Sequence, residues 1–456
     1  MQKQKTMITD LTQGNVFILL IRFAAPLILA NILQMIYNIV DMIIIGRFVG
    51  SAGIAAVANG GEIMMLFTSF SIGFCSAGQI IISQYVGKGD KTSVNRTIGT
   101  MISFMILFSL ALSVVALLIA EWGLNIINTP VEAFSMAKDY TSVCFVGLVF
   151  VFGYNTVSAV LRGMGDGKRP LVFIAVATVV NIVLDVVFVA YLNMEAMGAA
   201  LATIIGQGVS FLFSLVYLYK RKEAFGFDFK RSSFKIDGSI LKMLAKLGLP
   251  MALQSMAVGI SGLVVTAFVN AYGVVAAAVA GIGAKLRMII GILTSSLVTA
   301  ASSMIGQNVG AGRYDRVNQV FIRSFLIMFV FSLILGGIGV LFPETIFGIF
   351  DTNPEVLVMA PKFMVINFVT FLSFAGMQPG TSLVNGIGNA GMSFFVGIMD
   401  GVVTRIGVII IVEVVLHLGV WGIWWGSTLS AFSTVLITLV YYLSGKWKTY
   451  KPIINK

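Results

Sequence analysis

SQYVGKGD at residues 83–90 returns as GQNVGAGR at residues 306–313, with Gln84, Val86, Gly87 and Gly89 matched by Gln307, Val309, Gly310 and Gly312. The offset of 223 is not confined to this pair. LRGMGDG at 161–167 comes back as VNGIGNA at 384–390, and Pro26 of FAAPLIL returns as Pro250 of LGLPMAL. Short segments recurring in the same order at a nearly constant offset mark the chain as a duplication, and the content of each copy sets the architecture.

That content is hydrocarbon. Of 456 residues 58% are hydrophobic and only 11% charged, whereas a soluble chain carries about a quarter charged residues. About 20 apolar residues are needed to cross a bilayer core. A dozen runs qualify, at about 17–45, 53–85, 97–120, 134–161, 169–192, 196–220, 240–270, 275–307, 318–341, 356–384, 392–414 and 418–444. Six spans per copy is an even number, so both copies enter the membrane the same way and are related by an axis along the membrane normal. The expected fold is an all-α integral membrane protein with twelve transmembrane helices in two six-helix bundles related by a pseudo-two-fold axis. The N-terminal lobe is placed at 1–220, a basic cytoplasmic linker at 221–238 and the C-terminal lobe at 239–456. Parallel repeats of this kind build transporters whose site lies between two rocking bundles.

The net charge of +11 has a simpler use here than nucleic acid, because Lys and Arg near span ends resist translocation. Lys3, Lys5, Lys88, Lys91, Arg96, Lys168, Arg169, Lys220, Arg221, Lys222, Lys230, Arg231, Lys235, Arg313, Arg316, Lys446, Lys448 and Lys451 all fall on one side. That side is cytoplasmic, with both termini on it, and the expected location is the inner (plasma) membrane. The opposite loops collect Glu121, Glu132, Glu195, Glu344, Asp351 and Glu355. The polar N-terminus leads into a first apolar run too long for a signal-peptide core, so that run is retained as a helix. Cys75 and Cys144 sit inside apolar runs and offer neither disulfide framework nor metal spacing.

Polar residues inside the spans carry the chemistry. An aspartate at the centre of a membrane helix costs about 2.5 to 3.5 kcal/mol, so it is rare and functional or paired. On the first helix Asn31, Gln34, Asn38 and Asp41 are spaced three, four and three apart, along one face. Thr178, Asn181 and Asp185 do the same on the fifth, Asn155, Ser158 and Arg162 on the fourth, Thr203, Gln207 and Ser210 on the sixth. A shared cavity inside the N-terminal bundle accommodates four such faces, with Gln34, Tyr37, Asn38 and Gln207 as its substrate-facing residues. Single Ser, Thr or Gln residues in these stripes serve equally well as helix–helix glue. The two aspartates do not: with no cation at their depth they are suited to taking up protons or binding a cation. At the 223 offset Asn181 becomes Thr404 and Asp185 becomes Val408, so ion coupling belongs to the N-terminal half.

Other charges have narrower readings. Glu62 and Lys285 are repeat-equivalent; they form an outer latch across the cleft, or each pairs within its own bundle or faces water. Asp400 and Arg405 are placed to satisfy one another, and Arg287 has no evident partner. GMGDGK at 163–168 lacks the preceding strand of a phosphate loop and reads as a tight cytoplasmic turn. No Ser/His, HExxH or paired catalytic aspartate motif lies in the spans, so an enzyme is disfavoured.

With these motifs in order over nearly the whole length, the chain resembles the multidrug and toxic compound extrusion (MATE) family. The resemblance rests on the repeat, on PLILANILQMIYNIVDMIIIGRFVG at 26–50, on QYVGKGD and QNVGAGR, and on AVLRGMGDGKRPL at 159–171. It implies secondary active efflux of an organic cation or amphipathic drug against H⁺ or Na⁺. It also implies a coupling site of Asp41, Asp185, Asn181 and Thr203, with Ser158 or Asn155 in the position of a helix-four asparagine, and a bend at Pro26. No cofactor and no resident metal are implied; Na⁺ at Asp41 and Asp185 is the alternative to H⁺. The expected partners are a cationic small molecule and membrane lipid, for a monomer that binds no nucleic acid. A flippase of lipid-linked oligosaccharide is the alternative. Its pyrophosphate calls for several central cations, and only Lys285, Arg287 and Arg405 qualify.

Overall fold

The computed structural model describes residues 7–455; Lys3 and Lys5 lie outside them. Among the described residues eleven helices are long and apolar enough to cross a membrane, and a bent pair makes a twelfth. In chain order these are α1 (Val16–Phe48), α2 (Ser51–Lys88), α3 (Lys91–Ile126), α4 (Val131–Val146 with Leu148–Gly163), α5 (Lys168–Tyr191), α6 (Glu195–Lys220), α7 (Gly238–Asn270), α8 (Val274–Gly310), α9 (Tyr314–Leu341), α10 (Pro354–Gly386), α11 (Ala390–Val415) and α12 (Gly419–Leu443). No strand is present among the described residues. Inside lipid a helix satisfies its own backbone groups, which is why every span takes this form.

The duplication extends to backbone conformation. Gly89 and Gly312, the second glycines of the repeated VGxG motif, end α2 and α8 at φ +77° and +71°. Gly165 and Gly388 stand at φ +81° and +75° before α5 and α11. These are left-handed positions that favour glycine. Beside the second pair, Asp166 accepts from the Lys168 and Arg169 N–H groups at 3.0 and 3.2 Å, and its counterpart Asn389 accepts from Met392 N–H at 3.1 Å. The GMGDGK segment is therefore a tight turn closed by an N-cap.

The chain forms two compact units. One takes in the chain up to Asp10 and Ala25–Ala252; the other takes in Leu11–Ala24 and Leu253–Lys456. Two of the three boundaries run through long helices beside their prolines, α1 near Pro26 and α7 near Pro250. Small residues bring each part of α7 close to its neighbour. In the first unit a Cβ on Gly73 of α2 would stand 2.4 Å from the Ala252 nitrogen, and one on Gly248 would stand 2.6 Å from the Phe74 ring. In the second, Gly397 and Gly401 of α11 would meet Gln254 and Ala257 at 2.4 and 2.9 Å. Without hydrophobic pressure between helices in lipid, such close small-residue contacts are a main source of association.

The second unit also holds the segment leading into α1. Gln307 accepts from Leu11 N–H at 2.9 Å, Asn308 donates to the Leu11 carbonyl at 3.2 Å, and Arg313 donates to the Thr12 carbonyl at 2.8 Å. These three residues belong to the repeated QNVGAGR motif, which is thus a docking cradle for backbone. In the first unit the approach to α7 is held by α3, where Ser103 donates to the Phe234 carbonyl at 2.6 Å and Thr100 accepts from Asp237 N–H at 3.0 Å.

Replacing Gly73 with leucine overpacks the α2–α7 crossing and is expected to lower stability by about 1–3 kcal/mol. Gly61→Leu on the same helix, where a Cβ meets nothing within 4 Å, is the control. The unfolding midpoint of each purified variant checks this, with only Gly73→Leu shifted.

Candidate functional site

Asp41 lies on α1 beyond Pro26 and is 6% exposed; Asp185 ends the regular part of α5 and is fully buried. From Val186 to Tyr191 the helix widens to i→i+5 bonding, closed by Leu192 N–H donating to the Val187 carbonyl at 3.0 Å. Wide turns of this kind loosen backbone bonding and are frequent at functional sites. Asp41 is close enough to Asp185 for its charge to act there, and Tyr37, one turn before Asp41, neighbours both acids. Among the described residues neither carboxylate belongs to an ion pair.

Asn181, 3% exposed, stands one turn before Asp185 and donates from Nδ2 to Thr203 Oγ1 of α6 at 3.4 Å. The bond depends on a glycine: a Cβ on Gly206 would stand 3.0 Å from the Ala177 carbonyl and 3.3 Å from Asn181 Cβ. Because the amide donor is engaged by Thr203, Asn181 Oδ1 is left without a protein partner. So are Asp41 Oδ1, both oxygens of Asp185, Thr178 Oγ1 and Gln207 Oε1. Every one of these atoms is an oxygen. Tyr37, Thr178, Asn181, Thr203 and Gln207 line a crevice of about 10 Å³, the room a single water needs. Its scale and its lone pairs suit a proton on water or a small cation, and no drug-sized molecule fits inside.

The other expected site residues are placed elsewhere. Gln34 and Asn38 are exposed on α1 and do not line the crevice. Ser158 is buried on α4. Asn155 turns its amide toward α2, donating to Ser71 at 3.3 Å, while Arg162 donates to Gln79 at 2.9 Å. The α4 stripe therefore serves the α2 contact. What α4 presents to the acids comes from its first segment: Tyr140 and Cys144 are buried, bonded to one another, and near Asp41. Their i,i+4 spacing was the available signal, masked because both count as apolar. α4 bends by 49° at Gly147, where a Cβ would stand 2.3 Å from Ile204 of α6. Glu62 and Lys285 are exposed on α2 and α8. Asp400 and Arg405 form the expected ion pair at 3.1 Å.

A duplicated bundle of membrane helices with uncompensated acids inside one copy is an integral membrane transport protein. The chain belongs to the MatE family, whose model matches residues 26–187 and 250–411, once in each half. The probable multidrug resistance protein YpnP of Bacillus subtilis is 29% identical, with 98% of this chain and 99% of that protein covered. YoeA of the same organism, also described as a probable multidrug resistance protein, is 28% identical over 93% of both chains. A solved outward-facing multidrug resistance MATE transporter superposes with a TM-score of 0.89 at 20% identity, covering 98% of this chain and all of that one. The protein is thus a multi-span membrane transporter of small molecules in the multidrug efflux family.

The two asparagines separate the site from its surroundings. Asn181→Leu is expected to lower transport at least about tenfold, the equivalent of about 1.4 kcal/mol for the lost Thr203 bond and the lost crevice oxygen, while Asn155→Leu retains half or more. Initial rates of dye efflux in cells expressing equal amounts of each variant decide this.

Proposed function

We propose that the chain exports organic cations or amphipathic drugs across the plasma membrane by antiport against H⁺ or Na⁺, coupled in the N-terminal lobe, residues 1–220. Both termini lie in the cytoplasm in this reading. The observation that carries it is Asp185, fully buried with neither oxygen bonded, within reach of Asp41 and without a cation. Two carboxylates so placed are neutralised by a proton or by Na⁺, and neutralisation cancels their attraction for a cationic solute. The solute leaves when the site opens outward; release of the ion to the cytoplasm restores the negative charge. Asn181, Thr203 and Tyr37 stand beside the pair and offer oxygens to whichever ion binds. Exchange of one proton for one monovalent cation moves no net charge and draws on the pH gradient alone. If one charge moves net, a 100 mV potential adds about 2.3 kcal/mol.

Pro26 belongs to the same cycle. Proline leaves a carbonyl one turn back without its helical donor, so α1 can bend there when the charge on Asp41 changes. Gln34 and Asn38, exposed between Pro26 and Asp41 on the same helix, are then able to meet solute.

In proteoliposomes with an imposed pH or Na⁺ gradient, efflux of a cationic dye is expected to require Asp41 and Asp185. Asp41→Asn and Asp185→Asn each reduce gradient-driven efflux to background with normal reconstitution; wild-type rates in both would refute the coupling site. The gradient that drives wild-type efflux identifies the ion.

A further inference from the structure

The C-terminal unit carries the opposite polarity at the matching place. At the offset of 223, Tyr140 becomes Phe363 and Cys144 becomes Asn367 on α10. Asn367 is 1% exposed, and its Oδ1 accepts from Arg287 Nη1 of α8 at 3.3 Å. The amide cannot be turned round without setting N–H against N–H. Arg405 of α11 is near enough for its charge to act on Arg287. A Cβ on Gly283 would stand 3.1 Å from Arg287 Nη1 and 2.3 Å from the Phe363 ring, so guanidinium and ring share one place. Phe363 in turn meets the Trp424 ring of α12 edge-on at 4.8 Å.

Arg405 donates to both oxygens of Asp400, at 3.1 and 3.3 Å. Arg287 belongs to no ion pair among those of the described residues. Two guanidinium groups and one carboxylate leave the cluster with one positive charge. Three buried N–H groups meet no acceptor in the protein: Asn367 Nδ2 and Arg405 Nε within it, and Nε1 of Trp424, which joins it through the Phe363 ring. The first unit's cluster leaves oxygens unmatched, whereas this one leaves donors. A buried donor without an acceptor costs about 1–3 kcal/mol, and three beside a net cation call for lone pairs bearing a single negative charge.

We propose that Arg287, Asn367, Arg405 and Trp424 form a site for one monovalent anionic group, either a halide ion or the carboxylate of an amphipathic solute. The site is independent of the acids in the first unit, and its cation is held in a low-dielectric wall that includes Phe363 and Ile366. A guanidinium and an amide N–H together recognise an anion by charge-assisted bonds.

The test measures the unfolding temperature of the purified full-length protein against sodium chloride and, separately, sodium octanoate. Gluconate, a carboxylate too hydrated for an apolar-walled site, holds ionic strength constant. A ligand of the native state raises the midpoint along a saturable curve. The expected result is such a curve for chloride, for octanoate or for both, which identifies the source. Its apparent affinity should fall about tenfold or more in Arg287→Gln and Asn367→Leu, and recover in part in Arg287→Lys. Asp41→Asn should bind the anion as the wild type does, so failure of the coupling site and failure of this one are told apart. If Arg287→Gln does not fold, Asn367→Leu and Arg287→Lys carry the comparison. No saturable rise with either anion means that water satisfies the donors and overturns the proposal, as does wild-type affinity in the folded variants.

Discussion

A carboxylate carried into a membrane bundle without a cation beside it is the constraint on which the first unit is organised. Asp185 is fully buried and Asp41 nearly so, and neither is offset by an ion pair. The surroundings do little to satisfy them: Asn181 gives its amide hydrogen to Thr203, and the atoms left unmatched are all oxygens. A fold that needed only stability would have placed a donor there, or an apolar side chain as Val408 stands in the other copy. The cost is tolerable under the proposed exchange of that charge with an ion.

Around that site the backbone is symmetric and the chemistry is not. The paired left-handed glycines, the matched N-caps at Asp166 and Asn389, and the prolines of α1 and α7 show one six-helix plan used twice. Onto it the first copy sets acids and the second sets arginines, at stations that correspond through Tyr140 and Phe363, Cys144 and Asn367. The widened turns belong partly to the shared plan: Val186–Tyr191 follows Asp185, its counterpart Ile411–Val415 follows Val408, and Met399–Thr404, which contains Asp400, has no such partner.

Much of this was legible in the sequence because lipid simplifies the code. Length and apolarity alone placed each span within a few residues of the observed helix, from Val16–Phe48 to Gly419–Leu443. The aspartates stood out because charge at that depth is costly. Rotation was harder to read. Asn155 and Asn181 look alike as polar residues on apolar helices, yet one faces Ser71 and the other Thr203, and only the packing of α2 and α6 decides which. Tyr140 and Cys144 were hidden by their apolar character, and the bend at Gly147 by its position within one unbroken apolar run. Arg287 lacked a partner on paper because Asn367 lies 80 residues away on a helix that reaches it only in the folded bundle.

The boundary that runs through α7 bears on how the chain is made. Fifteen residues of that helix, Gly238–Ala252, belong with the first unit, so six completed spans leave the ribosome before that unit has its last component. Until Gly248 and Ala252 emerge, the α2 groove at Gly73 and Phe74 has no filler, and the nascent bundle must wait in the bilayer for its successor's first turns. A gene severed between α6 and α7 would therefore deliver a first fragment missing part of its own wall. The first unit is therefore completed only after synthesis of the second copy's opening helix has begun.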